Sequence, residues 1–213
     1  MFIDRVQAGR KLVERLKEEL YLLDPEKTVV LAIPRGGVLV GREISQAFGL
    51  PLEILITKKV PSPQSEDLAI GAIGEGGVVV WEEKICQELN ISAEYKQSII
   101  KEKLKELEKK ATDFKSDKRE LALTNKTVIL TDDGIATGET MKVAIEILRA
   151  YSPKEIVAVV PVVAPDILSE MKEIADKVIY LESPDLFFSV DQFYEKFDQP
   201  SDEEVCRIIY DRK

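Results

Sequence analysis

A chain of 213 residues, 45% hydrophobic and 32% charged, has the size and composition of one soluble globular domain with a full core. Its net charge of −9 weighs against general nucleic-acid binding, and an anionic ligand would need a local pocket of cations or backbone amides. There is no histidine, which excludes His-based catalysis and the commonest metal ligand.

The opening MFIDRVQAGR lacks the apolar stretch of a signal peptide, and the longest apolar run, residues 156–163, is strand-sized. A cytoplasmic protein that does not enter a membrane is expected. Residues 4–23 predict an amphipathic helix with Val6, Leu12, Val13, Leu16 and Leu20 on one side. Residues 28–33 predict a buried strand, 38–48 the helix after it, closed near Gly49 and Pro51, and 52–57 the next strand. Residues 58–69, KKVPSPQSEDLA, read as a mobile connection, and 70–81, IGAIGEGGVVVW, as a hairpin. Residues 92–120 form a charged segment in which Ile100, Leu104, Leu107, Ala111 and Phe114 make one apolar stripe. That predicts a helix lying against its own domain with a solvated Lys/Glu face.

Strands at 126–131, 156–162 and 178–181 then alternate with helices at about 138–151 and 166–175. Buried strands separated by helices predict a parallel sheet covered on both faces. SDEEVCRIIYDRK opens with a capping box, Ser201 and Glu204, and predicts a short helix. Cys86 and Cys206 are far apart, without C-x-x-C spacing, and read as reduced thiols.

The most specific stretch is VILTDDGIATGET, residues 128–140. An apolar strand delivers Asp132 and Asp133 at its carboxyl end, where ligands bind in open α/β sheets. Gly134, Ile135, Ala136, Thr137, Gly138, Glu139 and Thr140 follow, then a helix. Glycines let the backbone approach a ligand, and helix amides with threonine hydroxyls suit a phosphate. Neither a Walker loop nor a G-x-G-x-x-G fingerprint is present, which weighs against a doubly wound nucleotide-binding domain of unrelated type. Taken singly, DDG is a turn and the Asp and Thr residues are helix caps.

Together these pieces resemble the type I phosphoribosyltransferases, whose signature is an apolar strand, two acids and a loop of the form DD-x-x-x-T-G-x-T. The resemblance implies that Asp132 and Asp133 grip the ribose hydroxyls of phosphoribosyl pyrophosphate (PRPP) while residues 134–140 hold its 5′-phosphate. Carboxylates are natural acceptors for vicinal hydroxyls, and they favour positive charge growing on the ribose ring. By the same resemblance the PRGG loop, Arg35, Gly36 and Gly37, cradles pyrophosphate, often on a strained or cis peptide. A lysine at the end of the following strand, Lys58 with Lys59 beside it, neutralises the leaving group. The segment after it is the mobile loop that closes over PRPP. Asp67 stands where the segment PxxxExAIGAI of related proteins has glutamate.

The implied architecture is a single domain spanning 1–213, with a core of about 25–181, a flexible hairpin flap and a small hood from 2–24 and 182–213. Phe187, Phe188, Phe193, Tyr194 and Phe197 either stack on an acceptor ring or form the hood's own core. Mg²⁺ is the expected cofactor, bridging diphosphate and ribose hydroxyls, with Asp132 and Asp133 touching it only through hydroxyls or water. The expected reaction transfers ribose 5-phosphate from PRPP to a nitrogen acceptor, in a homodimer, within nucleoside metabolism. Ala136 stands where hypoxanthine-type relatives carry an aspartate, which weighs against a copy of those enzymes but selects no acceptor, since adenine, uracil and orotate enzymes also lack it. The alternative is a protein of the same fold that senses PRPP or a nucleotide without catalysis.

Overall fold

The computed structural model describes residues 1–19, 23–66, 68–114 and 121–210. Leu20, Asp67 and the part of the charged segment after Phe114 lie outside the described residues. In chain order the elements are α1 (Arg5–Glu19), β1 (Thr28–Ala32), α2 (Gly36–Phe48), β2 (Leu52–Ile54), β3 (Thr57–Pro61), β4 (Ala69–Gly74), β5 (Val79–Trp81), α3 (Glu83–Glu88), α4 (Ala93–Phe114), β6 (Thr127–Thr131), α5 (Glu139–Arg149), β7 (Glu155–Val162), α6 (Pro165–Ile174), β8 (Lys177–Glu182) and α7 (Asp202–Tyr210).

β1, β2, β6, β7 and β8 form a parallel sheet in the order β2-β1-β6-β7-β8. Every residue of β1 and β6 is buried, because both faces are covered. The alternation of side chains along each strand divides the core. Val30, Ile129, Val157 and Val159 face Leu12 and Leu16 of α1, Ile44 of α2 and Val205 of α7. Val29, Leu31, Val128 and Leu130 face Met141, Ala144 and Leu148 of α5 and Met171 of α6. Strand order reverses direction between β1 and β6, and the two strands end level, Ala32 opposite Thr131. The loops leaving their carboxyl ends therefore border the crevice in which such sheets take ligands.

The sequence predicts one strand over 52–57, whereas the chain leaves the parallel sheet after Ile54. Leu55 N–H still bonds Ala32 O at 3.0 Å, but Ile56 N–H turns to Glu75 Oε1 at 3.2 Å. The ladder changes partner between two apolar residues that are both buried, so the hydrophobic pattern runs on unbroken through the bend. Residues 58–61, expected to begin a mobile connection, instead belong to β3, paired antiparallel with β4. The expected hairpin of β4 and β5 is present and becomes a three-stranded ribbon, β3-β4-β5. Beyond β3 the turn is pinned by Ser62, whose N–H bonds Leu68 O at 2.8 Å and whose Oγ accepts from Ser65 N–H at 3.0 Å. The ribbon packs closely on α5: a Cβ on Gly74 would stand 2.5 Å from Ile147 Cγ2.

α4 lies against the protein as its stripe predicts, with Leu107 and Phe114 buried and Ile100, Leu104 and Ala111 half-buried against the core. α3 has no counterpart among the predicted elements; its buried Cys86 sits under β4 with Sγ 3.5 Å from Ile70 O. At α7, Ser201 Oγ accepts from Glu204 N–H at 3.2 Å, the capping contact the sequence predicts. Cys86 and Cys206 are not joined in a disulfide. Among the described residues no helix is long and apolar enough to cross a membrane.

Candidate active site

Two loops meet at the switch point of the sheet. One follows β1 and contains a cis peptide between Pro34 and Arg35. The other follows β6 and begins with the two acids. They touch because the first two residues of α2, where the first loop ends, lack side chains. A Cβ on Gly36 would fall 1.9 Å from Asp133 Oδ2, and one on Gly37 would fall 2.8 Å from Asp132 Cα and from Thr131 O. Only glycine permits this approach. The resemblance assigns these glycines to pyrophosphate; the geometry gives them a prior task, seating the acid pair.

Asp133 N–H bonds Asp132 Oδ1 at 2.8 Å. Burial pushes the Asp132 carboxyl well above the usual carboxylate range, and the neighbouring Asp133 pushes it further. Burial also raises Asp133, against the opposing pull of a hydrogen-bonded arginine. That arginine is Arg5 of α1, whose Nε donates to Asp133 Oδ2 at 2.6 Å. Arg5 is 3% exposed. Its Nη1 donates to Asp198 O at 2.9 Å, and its guanidinium lies 3.7 Å from the ring centre of Phe197. Tyr194 O–H donates to Asp133 O at 2.6 Å, and burial followed by the charge of Asp133 pushes its phenol pKa upward.

The second loop is held in shape by the sheet. Ile135 N–H bonds Val162 O and Ala164 N–H bonds Ile135 O, each at 2.9 Å, so Ile135 pairs briefly beside β7. A Cβ on Gly134 would meet Val190 at 2.6 Å, which places the segment after β8 directly over the loop. Ala136 is half-buried; Thr137, Glu139 and Thr140 are exposed. Gly138 adopts φ +73° and starts α5 without a side-chain cap. The first turn of α5, without a side-chain cap and with the exposed Thr137 and Thr140 beside it, is a setting suited to an anion.

The two lysines of β3 separate because successive strand residues point to opposite faces. Lys59 pairs with Glu139 of the loop, which also meets Lys142 at 3.8 Å. Lys58 pairs with Glu106 of α4, which Lys103 also bonds at 2.9 Å. Neither lysine ends a strand of the parallel sheet, where the sequence pattern puts them; both stand in the ribbon. Arg35 is turned to the C-terminal segment, with Nη1 3.3 Å from Pro200 O and Nε 3.3 Å from Asp202.

Hydrogen bonds from Lys58, and then from Lys103, pull the Glu106 carboxyl down to about 2. A depressed folded pKa adds stability above the unfolded value and loses it as pH falls through the folded one. Glu106→Gln is therefore expected to flatten the stability profile between pH 4.5 and about 2, read by urea unfolding across that window. Glu106 is 38% exposed, so solvent screening keeps the effect small.

The aromatic segment is largely a core of its own. Phe193 and Tyr194 are buried with Phe2, and Phe187 and Phe197 pack against them. Phe188 is 84% exposed. The sequence reading missed Arg5, although a signal was available: residues 5, 8, 9, 12 and 16 share the buried face of α1. An arginine on an apolar helical face needs an anion to meet it.

A model of the phosphoribosyl transferase domain matches residues 3–198. Two Mycobacterium tuberculosis proteins, each named provisionally as a phosphoribosyl transferase, are 38% identical over 209 residues, 98% of this chain and 46% of theirs. The chain thus spans about half the length of the curated relatives it matches. A crystal structure of a Thermus thermophilus protein superposes with a TM-score of 0.87 at 32% identity, covering 98% of this chain and 97% of that one. An Aquifex aeolicus protein shares the fold at 15% identity, with a TM-score of 0.52 over 97% of this chain and 85% of that one.

Proposed function

This chain belongs to the phosphoribosyl transferase domain family, and from that premise we propose that it transfers ribose 5-phosphate from PRPP to a nitrogen acceptor, releasing pyrophosphate. The observation that carries the reading is the juxtaposition at the switch point: two carboxylates, held by Gly36 and Gly37, beside an uncapped Gly/Thr loop at a helix start. Asp132 and Asp133 accept hydrogen bonds from the ribose hydroxyls and stabilise positive charge on the ring as its bond to pyrophosphate lengthens. Residues 134–140 take the 5′-phosphate on backbone amides, Thr137 and Thr140. Lys59 reaches this loop and is the ribbon lysine placed to meet donor phosphates, once Glu139 releases it. Arg35 serves the pyrophosphate by exchanging its contacts at 3.3 Å for a phosphate fork.

Among the described residues no three His, Cys, Asp or Glu side chains form a metal cage. Two adjacent acids suit Mg²⁺ held mainly by substrate and water, with Asp132 and Asp133 reaching it through hydroxyls or water. There it would neutralise the diphosphate. The family resemblance also carries the expectation of a homodimer.

The test is pyrophosphate release from magnesium-PRPP across a panel of nucleobases and small amines. Release with one acceptor class supports the transferase. A PRPP-dependent rise in melting temperature without release from any acceptor favours the sensor instead. Lys59→Met is expected to weaken PRPP binding about 10-fold and Lys58→Met less than about 3-fold, read by titration calorimetry. The reverse order would remove Lys59 from the site.

A further inference from the structure

We propose that Arg5 is a positioning residue of this site: from the opposite end of the chain it orients Asp133, so that one carboxylate oxygen is committed to the protein and the other is aimed at the donor sugar. The inference rests on the PRPP reading above. Three observations carry it. The guanidinium is almost wholly buried, yet its first partner is the second acid of the pair, 128 residues away, at 2.6 Å. The other contacts fix its plane: Asp198 O at 2.9 Å from Nη1 and the Phe197 ring at 3.7 Å from the guanidinium carbon. Gly36 leaves the space that the pair occupies, since a Cβ there would stand 2.8 Å from Arg5 Nε as well as 1.9 Å from Asp133 Oδ2.

A buried cation is costly and is a weak means of stabilising a fold. Here it is planar and forked, which a lysine cannot reproduce. Tyr194 grips the backbone oxygen of the same aspartate. Asp133 is thereby held at both its main chain and one carboxylate oxygen, by α1 and the C-terminal segment. The two acids are consequently unequal: Asp133 is clamped by side chains of α1 and the C-terminal segment, whereas Asp132 accepts from the backbone of Asp133 and Gly37.

The test measures magnesium-PRPP, ribose 5-phosphate and inorganic pyrophosphate binding by calorimetry in wild type, Arg5→Met, Arg5→Lys and each of these combined with Asp133→Asn. Arg5→Met is expected to weaken both ribose ligands about 10- to 100-fold and Arg5→Lys by about 5-fold, with pyrophosphate unchanged. In the Asp133→Asn background, replacing Arg5 is expected to add less than about 3-fold, the mark of a coupled pair. Should Arg5→Met fail to fold, the Arg5→Lys and Asp133→Asn cycle decides alone. Equal weakening of all three ligands, or full additivity with Asp133→Asn, would make Arg5 a structural residue and overturn the proposal. A wild-type protein that binds neither ribose ligand refutes the donor reading and the proposal with it. Wild-type binding with unaltered Arg5 variants refutes the proposal alone.

Discussion

Asp132→Asn is expected to weaken PRPP binding about 10- to 100-fold while raising the melting temperature at neutral pH. The two effects share one cause. Asp132 is packed against Gly37 beside a second acid, and burial and that neighbour hold its carboxyl well above the usual range. A carboxyl whose folded pKa lies above its unfolded one contributes most to stability below the unfolded value, and that contribution is lost as pH rises through the folded value. At pH 7 the chain therefore folds against the tendency of Asp132 to keep a proton. An amide of nearly the same shape removes that opposition and still accepts from Asp133 N–H. A relief of about 1 kcal/mol would lift the melting temperature by roughly 2–4 °C in a chain of this size. The advantage disappears in acid: below the ordinary aspartate range the variant gains nothing. Calorimetry at pH 7 and pH 3, with PRPP titration of the same samples, reads both effects. A variant less stable than wild type at pH 7 would show that Asp132 is structural.

Gly36→Ala is expected to destabilise the protein by about 3–5 kcal/mol and to abolish PRPP binding. The added Cβ falls 1.9 Å from Asp133 Oδ2 and 2.7 Å from its Cγ, inside the space that real atoms keep. Neither partner can retreat. Arg5 is stacked on Phe197 and is 3% exposed, and Asp133 is held by Tyr194 through its main chain. The substitution parts a buried ion pair and strands its cation. Gly49→Ala is the control. It lies at the end of α2 with φ +65° and open space around it, so it loses only the left-handed conformation, about 1 kcal/mol. Urea unfolding of both variants separates a site clash from a backbone preference. Equal losses would remove the special role of Gly36.

Much of this protein is readable along the chain. β1, β6 and β7 announce themselves as apolar runs too short for helices, and α5 and α6 as amphipathic segments between them. The acids and the Gly/Thr loop are contiguous, so their association needed no fold to be noticed. What misled was continuity of burial: Leu52 to Ile56 is one largely apolar run, yet the backbone changes sheets inside it. A pattern of hydrophobicity records that a residue is buried, and not by which neighbour. Lys58 and Lys59 show the same limit. Adjacent in sequence, they serve opposite faces of the ribbon, and only the register of β3 with β4 tells which one meets Glu139.

The sequence by itself determined the layered α/β architecture, the place of the acid pair at a strand's carboxyl end and the loop suited to a phosphate, because each depends on residues within a dozen positions of one another. Tertiary structure alone decided which side chains complete the site. Gly36 seats Asp133, Arg35 faces Pro200 and Asp202, and Arg5 crosses the fold to Asp133. The physical reason is that a buried charge takes its partner from whatever the packing brings near, and packing joins residues 128 positions apart without leaving a trace in local order.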